Sequence, residues 1–145
     1  MPAIATIVAQ LDAWRAPIGL TTYEGVPRIY SALADERDAV VAEIPFPIPE
    51  RVDRNATAVI GSTRHWKPLL NGYSGFTPAS YIEHARVLRD FPDARSWAML
   101  RDVGVTHLVV RADGFDEATL AVILQDPRVR VLARDPRLLI LRVHP

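Results

Sequence analysis

The sequence of 145 residues has no cysteine, a single lysine (Lys67) and no excess charge of either sign. The absence of cysteine excludes disulfide bridges and thiolate catalysis. Seventeen basic residues balance seventeen acidic ones, so we do not expect a protein that binds nucleic acid through a general excess of positive charge. No apolar run reaches the about 20 residues that a membrane-spanning helix requires.

The composition that remains is typical of one folded domain. Hydrophobic residues make up 49% of the chain and charged residues 23%, a balance that disordered segments do not have. We expect an N-terminal helix within residues 1–21 and a soluble α/β domain at residues 22–145. Because residues 1–11 are apolar, this helix is either an amphipathic helix on the domain or the end of a transmembrane helix that begins upstream.

The hydrophobic pattern of residues 22–145 predicts a small, Rossmann-like layered α/β domain. Apolar runs predict strands at residues 39–44, 66–71 and 105–111, and helical spacing predicts helices at residues 27–33, 53–62, 78–89, 94–102 and 116–125. Residues 128–134 and 138–143 flank a tight turn and predict an antiparallel C-terminal hairpin. Since helices connect the earlier strands, we expect a mostly parallel sheet of four or five strands. Asp53 and Asp93 are expected to cap the helices that follow them.

Residues 54–76 contain most of the unusual polar and aromatic side chains of the chain. Such side chains, in a loop that follows a strand of an α/β sheet, are typical of a binding site. The alternative is that the loop is tight for packing reasons, with Trp66 and Tyr73 at the edge of the core. The candidate substrate-binding residues are Arg54, Ser62, Thr63, His65, Trp66, Asn71, Tyr73 and Ser74.

The sequence shows no constellation for catalysis, metal binding or nucleotide binding. The four histidines are not paired at helical spacing with one another or with carboxylates, so no metal site is predicted. The glycine-rich nucleotide fingerprints are absent. Phe76 stands where a hydrolase nucleophile elbow around Ser74 would require its second glycine. We therefore predict no cofactor, no metal and no catalytic residue. The arginines of the hairpin predict a solvated face, with contact to anionic lipid headgroups as the alternative.

Four segments together resemble a known family. They are residues 40–46 (VVAEIPF), 54–81 (RNATAVIGSTRHWKPLLNGYSGFTPASY), 100–110 (LRDVGVTHLVV) and the terminal hairpin. They resemble the C-terminal extracytoplasmic domain of bacterial polytopic GT-C-type glycosyltransferases, which are related to protein mannosyltransferases. The similarity covers about residues 22–145, and its most specific part is the Asn-Gly-Tyr-Ser-Gly loop at residues 71–75.

The resemblance implies a non-catalytic accessory domain of a membrane glycosyltransferase that uses a lipid-linked sugar donor. Family members carry their catalytic acid in a membrane part that this sequence lacks, so no catalytic residue can be transferred. The implied partners are that membrane-embedded part or the lipid-linked sugar, at the extracytoplasmic face of a bacterial membrane. Trp66, Tyr73 and Asn71 would suit contact with a sugar, because aromatic rings stack on sugar faces and amides bind sugar hydroxyls. The alternative is a stand-alone, cytoplasmic, Rossmann-like binding or interaction module.

Overall fold

A four-stranded mixed sheet forms the centre of the computed structural model, which describes residues 23–144. The strands are β1 (Val41–Ile44), β2 (His107–Arg111), β3 (Val129–Arg134) and β4 (Leu138–Val143), in the spatial order β1-β2-β4-β3. β1 and β2 are parallel, whereas β4 is antiparallel to both β2 and β3. The helix predicted within residues 1–21 lies outside the described residues.

Four α-helices and three short 3-10 helices surround the sheet in the described part of the chain. The α-helices are α1 (Asn55–Ser62), α2 (Ala79–Leu88), α3 (Ala94–Asp102) and α4 (Glu117–Gln125). The 3-10 helices are Arg28–Leu33, Pro49–Arg54 and Ala112–Gly114. None of the helices described here has the length and apolar character needed to cross a membrane.

Side-chain caps fix where two of the α-helices begin. Asp93 accepts a hydrogen bond from the backbone N–H of Ser96 at 2.7 Å, as predicted, and Asp116 does the same for Thr119 at 2.7 Å. The prediction that Asp53 caps α1 is wrong, because residue 53 belongs to the preceding 3-10 helix, which runs directly into α1.

β1, β2 and most of β4 are buried on both faces of the sheet, whereas β3 is half-buried to exposed. On one face Leu108, Val110 and Leu141 belong to a core that also contains side chains of α2, α3 and α4, including Trp97 and Leu100. On the other face a smaller cluster contains Tyr30, Leu33, Val41, Val109 and Ile140. Each fully buried large aliphatic side chain contributes roughly 1.5–3 kcal/mol relative to exposure. Because β1 and β2 are buried on both sides, their sequences are nearly continuous apolar runs.

The α/β class and the C-terminal antiparallel hairpin are confirmed, but the prediction of a mostly parallel sheet is wrong. Residues 66–71 do not form a strand, and Leu69 makes only an isolated bridge to Val41. Pro68 has no N–H to donate to a ladder, and its carbonyl accepts the N–H of Val41 at 2.9 Å. The hairpin also inserts β4 beside β2, so the sheet has one parallel pair and two antiparallel pairs.

Candidate functional site

A cleft of about 700 Å³ opens where β1 and β2 end. The carboxyl ends of adjacent parallel strands are the usual place for ligands in α/β sheets. We call this feature the strand-end cleft. Its lining residues are Glu43, Pro45, Phe46, Pro47, Ile48, Arg51, Arg54, Thr57, Arg111, Asp113 and Gly114.

The walls of the strand-end cleft come from two connections. The proline-rich segment after β1 and the 3-10 helix Pro49–Arg54 form one wall, and the turn after β2 forms the other. The two walls approach closely at Gly114, where an added Cβ would collide with the ring of Pro45. Because Pro45 and Pro47 have no N–H, this wall offers few backbone donors to a ligand.

A buried glutamate lies at the base of the strand-end cleft. Glu43 of β1 is only 4% exposed. Its Oε2 accepts the hydroxyl hydrogen of Tyr30 at 2.8 Å, and its Oε1 accepts the Nε–H of Arg111 at 2.5 Å. Both carboxylate oxygens are thus hydrogen-bonded, as a buried charge requires.

The environment of this network shifts the pKa values of Tyr30 and Arg111. Burial, reinforced by the negative charge of Glu43, raises the pKa of the Tyr30 hydroxyl well above its ordinary value of 10.0. Burial alone would lower the pKa of Arg111, but the Glu43 carboxylate more than offsets it and the pKa is raised. Near neutral pH, Tyr30 is therefore a hydrogen-bond donor and Arg111 is a cation.

Two further arginines line the strand-end cleft from the 3-10 helix Pro49–Arg54. Arg51 and Arg54 are both exposed. The Nε of Arg51 lies 3.4 Å from a carboxylate oxygen of Asp53, in a pair whose side chains are 49% and 60% exposed. Exposed pairs of this kind contribute only about 0–1 kcal/mol, so Arg51 can exchange its partner. With Asp113 on the opposite rim, the cleft combines three guanidinium groups with two carboxylates, one of them buried in the network above.

Of the residues predicted to bind a substrate, Arg54 lines the strand-end cleft, whereas Asn71 is buried at the edge of β1. Asn71 is 1% exposed. Its Oδ1 accepts the backbone N–H of Glu43 at 2.7 Å, and its Nδ2 donates to the carbonyl of Glu43 at 3.0 Å and to Oδ1 of Asn55 at 3.2 Å. The amide of Asn71 thus pairs with β1 as the peptide group of a neighbouring strand would.

Four predicted residues lie at the end of α1, away from the cleft lining. Ser62 and Thr63 donate their hydroxyl hydrogens to carbonyls of the preceding helical turn, each at 2.7 Å. His65 is buried and stacks on Tyr30 with 6.2 Å between ring centroids, and burial lowers its pKa below 6.5. Trp66 has a positive φ of 56° and is 83% exposed.

Tyr73 and Ser74 line a second groove of about 360 Å³ beside α2. The hydroxyl of Ser74 donates to the carbonyl of Phe76 at 2.8 Å, a local turn contact. The structure therefore separates the predicted residues into the strand-end cleft, the edge of β1, the end of α1 and this groove. A ligand role for the exposed members of the set stays a prediction.

The sequence reasoning did not select Glu43, Arg51 or Arg111. A signal for two of them was present, because Glu43 and Arg111 are charged residues near the carboxyl ends of apolar runs that were predicted to be strands. The rule that ligands bind at these ends points to both. Within residues 23–144, no group of three or more potential metal-ligating side chains comes together.

Comparison with protein-family models, with curated proteins and with solved structures found no match to this chain. Function is therefore inferred from the strand-end cleft and from the chemistry of its lining.

Proposed function

We propose that this chain is a non-catalytic accessory domain of a membrane glycosyltransferase that uses a lipid-linked sugar donor. The observation that carries the proposal is the strand-end cleft, in which Arg51, Arg54 and Arg111 accompany apolar side chains. A ligand that suits this lining is anionic at one point and apolar at another, as a lipid-linked sugar is. The proposal places the domain at the extracytoplasmic face of the membrane, beside the membrane-embedded part of the enzyme.

The lining of the cleft supports binding rather than catalysis. A general base needs an oxygen or nitrogen that can reach the proton of its substrate. Both oxygens of Glu43 accept hydrogen bonds, from Tyr30 and from Arg111, so neither oxygen is left to accept a proton from a substrate. Asp113, the other carboxylate of the lining, is exposed on the rim.

The apolar part of the cleft supports a lipid component in the ligand. Ile48 is 43% exposed and lies in the same lining as the arginines. The proline rings at positions 45 and 47 add apolar surface that has no competing donors. An isoprenoid chain could lie along this wall while its charged end meets the guanidinium groups.

The alternative proposal is a stand-alone, Rossmann-like binding or interaction module with no connection to sugars. The exposure of large aromatic side chains favours it, because Trp66 is 83% exposed and Phe76 is 75% exposed. Exposed aromatic residues are enriched where proteins contact partners. Under this alternative the surface that matters is the end of α1 and the loop before α2, and the strand-end cleft is incidental.

Vesicle flotation separates the two proposals. The 145-residue chain is mixed with one of two kinds of vesicle. The first consists of neutral lipid with a polyprenyl-pyrophosphate hexose, and the second carries the same total charge as phosphatidylglycerol and has no sugar. The accessory-domain proposal expects retention on the first vesicles only, and weaker retention for Arg54→Gln. Arg130→Gln is the matched control, because Arg130 is exposed on β3 and outside the cleft lining. Equal retention on both vesicles would indicate attraction to lipid charge alone and would contradict recognition of the lipid-linked sugar. No retention on either would favour the interaction module.

A further inference from the structure

The arginines of the strand-end cleft differ in how firmly they are held. Arg111 is bonded to a buried carboxylate, whereas Arg51 and Arg54 are exposed on a short 3-10 helix. We propose that the cleft is a phosphoryl-binding site in which Arg111 is the fixed contact and Arg54 and Arg51 are movable contacts. The identity of the complete ligand rests on the proposed function, but the phosphoryl chemistry does not.

The fixed contact is positioned by a chain of hydrogen bonds that starts inside the domain. The hydroxyl of Tyr30 donates to Glu43, and Glu43 accepts from Nε of Arg111. Tyr30 is 2% exposed and Glu43 is 4% exposed, so neither side chain can reorient toward solvent. The Arg111 side chain is 35% exposed, which leaves the guanidinium accessible from the cleft. An arginine held in one orientation loses little freedom when it binds an oxyanion, so its contact is strong for its size.

The movable contacts reach the cleft from the opposite wall. Within residues 23–144, the side chain of Arg51 is engaged only through its exposed pair with Asp53 at 3.4 Å. A phosphoryl group with two negative charges competes well against such a pair, because charge-assisted bonds to phosphate are short and can be bidentate. Arg54 leads directly into α1 as the residue before its first turn, so its backbone is fixed while its side chain stays exposed.

The lining favours a phosphoryl group over a carboxylate. Arginines line the cleft on both walls, and a terminal phosphate or a pyrophosphate offers three or more free oxygens to them, whereas a carboxylate offers two. Asp113 on the rim repels any anion, so it does not distinguish a phosphoryl group from a carboxylate. The prolines of one wall supply no N–H, so Arg51 and Arg54 carry the recognition on that wall.

The test is isothermal titration of the 145-residue chain with three probes at the same ionic strength. The probes are inorganic pyrophosphate, geranyl phosphate as a short lipid phosphate, and citrate as a carboxylate of similar charge. We expect both phosphoryl probes to bind more tightly than citrate. Loss of one charge-assisted hydrogen bond weakens binding about tenfold or more, so Arg54→Gln should weaken both phosphoryl probes by that factor. Arg130→Gln should bind like the original chain, and thermal unfolding of each variant verifies that it is folded.

The outcomes distinguish the phosphoryl site from the proposed function. Tighter binding of geranyl phosphate than of pyrophosphate supports the site and a lipid source for its ligand. Binding of pyrophosphate without geranyl phosphate also supports the site, and removes the lipid-linked donor from the proposed function. The proposal is overturned if neither phosphoryl probe binds, if citrate binds as tightly as they do, or if Arg54→Gln binds like Arg130→Gln.

Discussion

Removal of the Asn71 amide should destabilise the domain more than its loop position suggests. Asn71 satisfies both backbone groups of Glu43 on the outer edge of β1, and it also bonds to Asn55. Asn71→Ala leaves the N–H and the carbonyl of Glu43 without these partners in a place that water reaches poorly, because Glu43 is 4% exposed and Asn71 is 1% exposed.

The magnitude follows from the two backbone groups left unpaired. A buried polar group that loses its partner costs about 1–3 kcal/mol, so the two groups together cost about 2–6 kcal/mol of unfolding free energy. For a domain of this size, each kcal/mol lowers Tm by about 3 °C, and we therefore expect a fall of about 6–18 °C. Asn71→Asp should also destabilise, because it replaces the donor to the Glu43 carbonyl with an acceptor.

Thermal unfolding followed by circular dichroism measures this effect. Ser74→Ala is the matched control, because Ser74 lies in the same loop but is exposed and bonded only to the nearby Phe76. We expect this control to stay within about 0.5 kcal/mol of the original chain. A Tm for Asn71→Ala within about 2 °C of the original chain would refute the view that the amide completes the edge of β1.

Three further predictions concern packing, capping and pH. Gly61→Ala should lower the free energy of unfolding by about 1–3 kcal/mol, because the new Cβ would lie 2.7 Å from the ring of Tyr30. Gly72→Ala is the control: its added Cβ would have no atom within 4 Å, so its chemical denaturation should be unchanged. Asp93→Ala removes the side-chain acceptor at the start of α3 and should cost about 1 kcal/mol in urea unfolding; an unchanged midpoint would contradict the cap. Burial lowers the pKa of His107 below 6.5, so the unfolded chain takes up a proton there before the folded one does. Stability should therefore fall as the pH is lowered from 6.5 toward the folded pKa, and a His107→Gln variant should show a smaller slope of Tm against pH over that interval.

The local elements were predictable where one segment determined its own structure. α3 begins at its Asp93 cap and ends before Gly104, which has a positive φ of 76°. Both boundaries depend on neighbouring residues that a sequence shows directly. The second parallel strand predicted at residues 66–71 failed for a non-local reason. The apolar pattern Leu69-Leu70 is satisfied by one bridge to Val41, and the side chain of Asn71 then replaces a strand's backbone. Side-chain mimicry of a peptide group has no periodicity, so hydrophobic pattern alone cannot reveal it.

The strand-end cleft was not predicted from the sequence. Binding groups were expected in residues 54–76, around a strand predicted at residues 66–71, and Arg54 is the member of that set that lines the cleft. The unusual residue types of residues 54–76 indicated a binding loop, yet Asn71 is buried and His65 stacks on Tyr30. The network of Glu43 and Arg111 joins residues 68 positions apart, and such a pairing depends on the register of β1 with β2, which one sequence does not display.

The most direct test of a ligand site at the strand ends is a 1H–15N correlation spectrum of the 145-residue chain during titration with pyrophosphate. We expect saturable shifts of the Arg111 and Gly114 amides and of the Nε–H of Arg54, with the indole N–H of Trp66 and the amide of Tyr73 unchanged. Shifts confined to Trp66 and Tyr73, with the cleft signals constant, would contradict a site at the ends of β1 and β2.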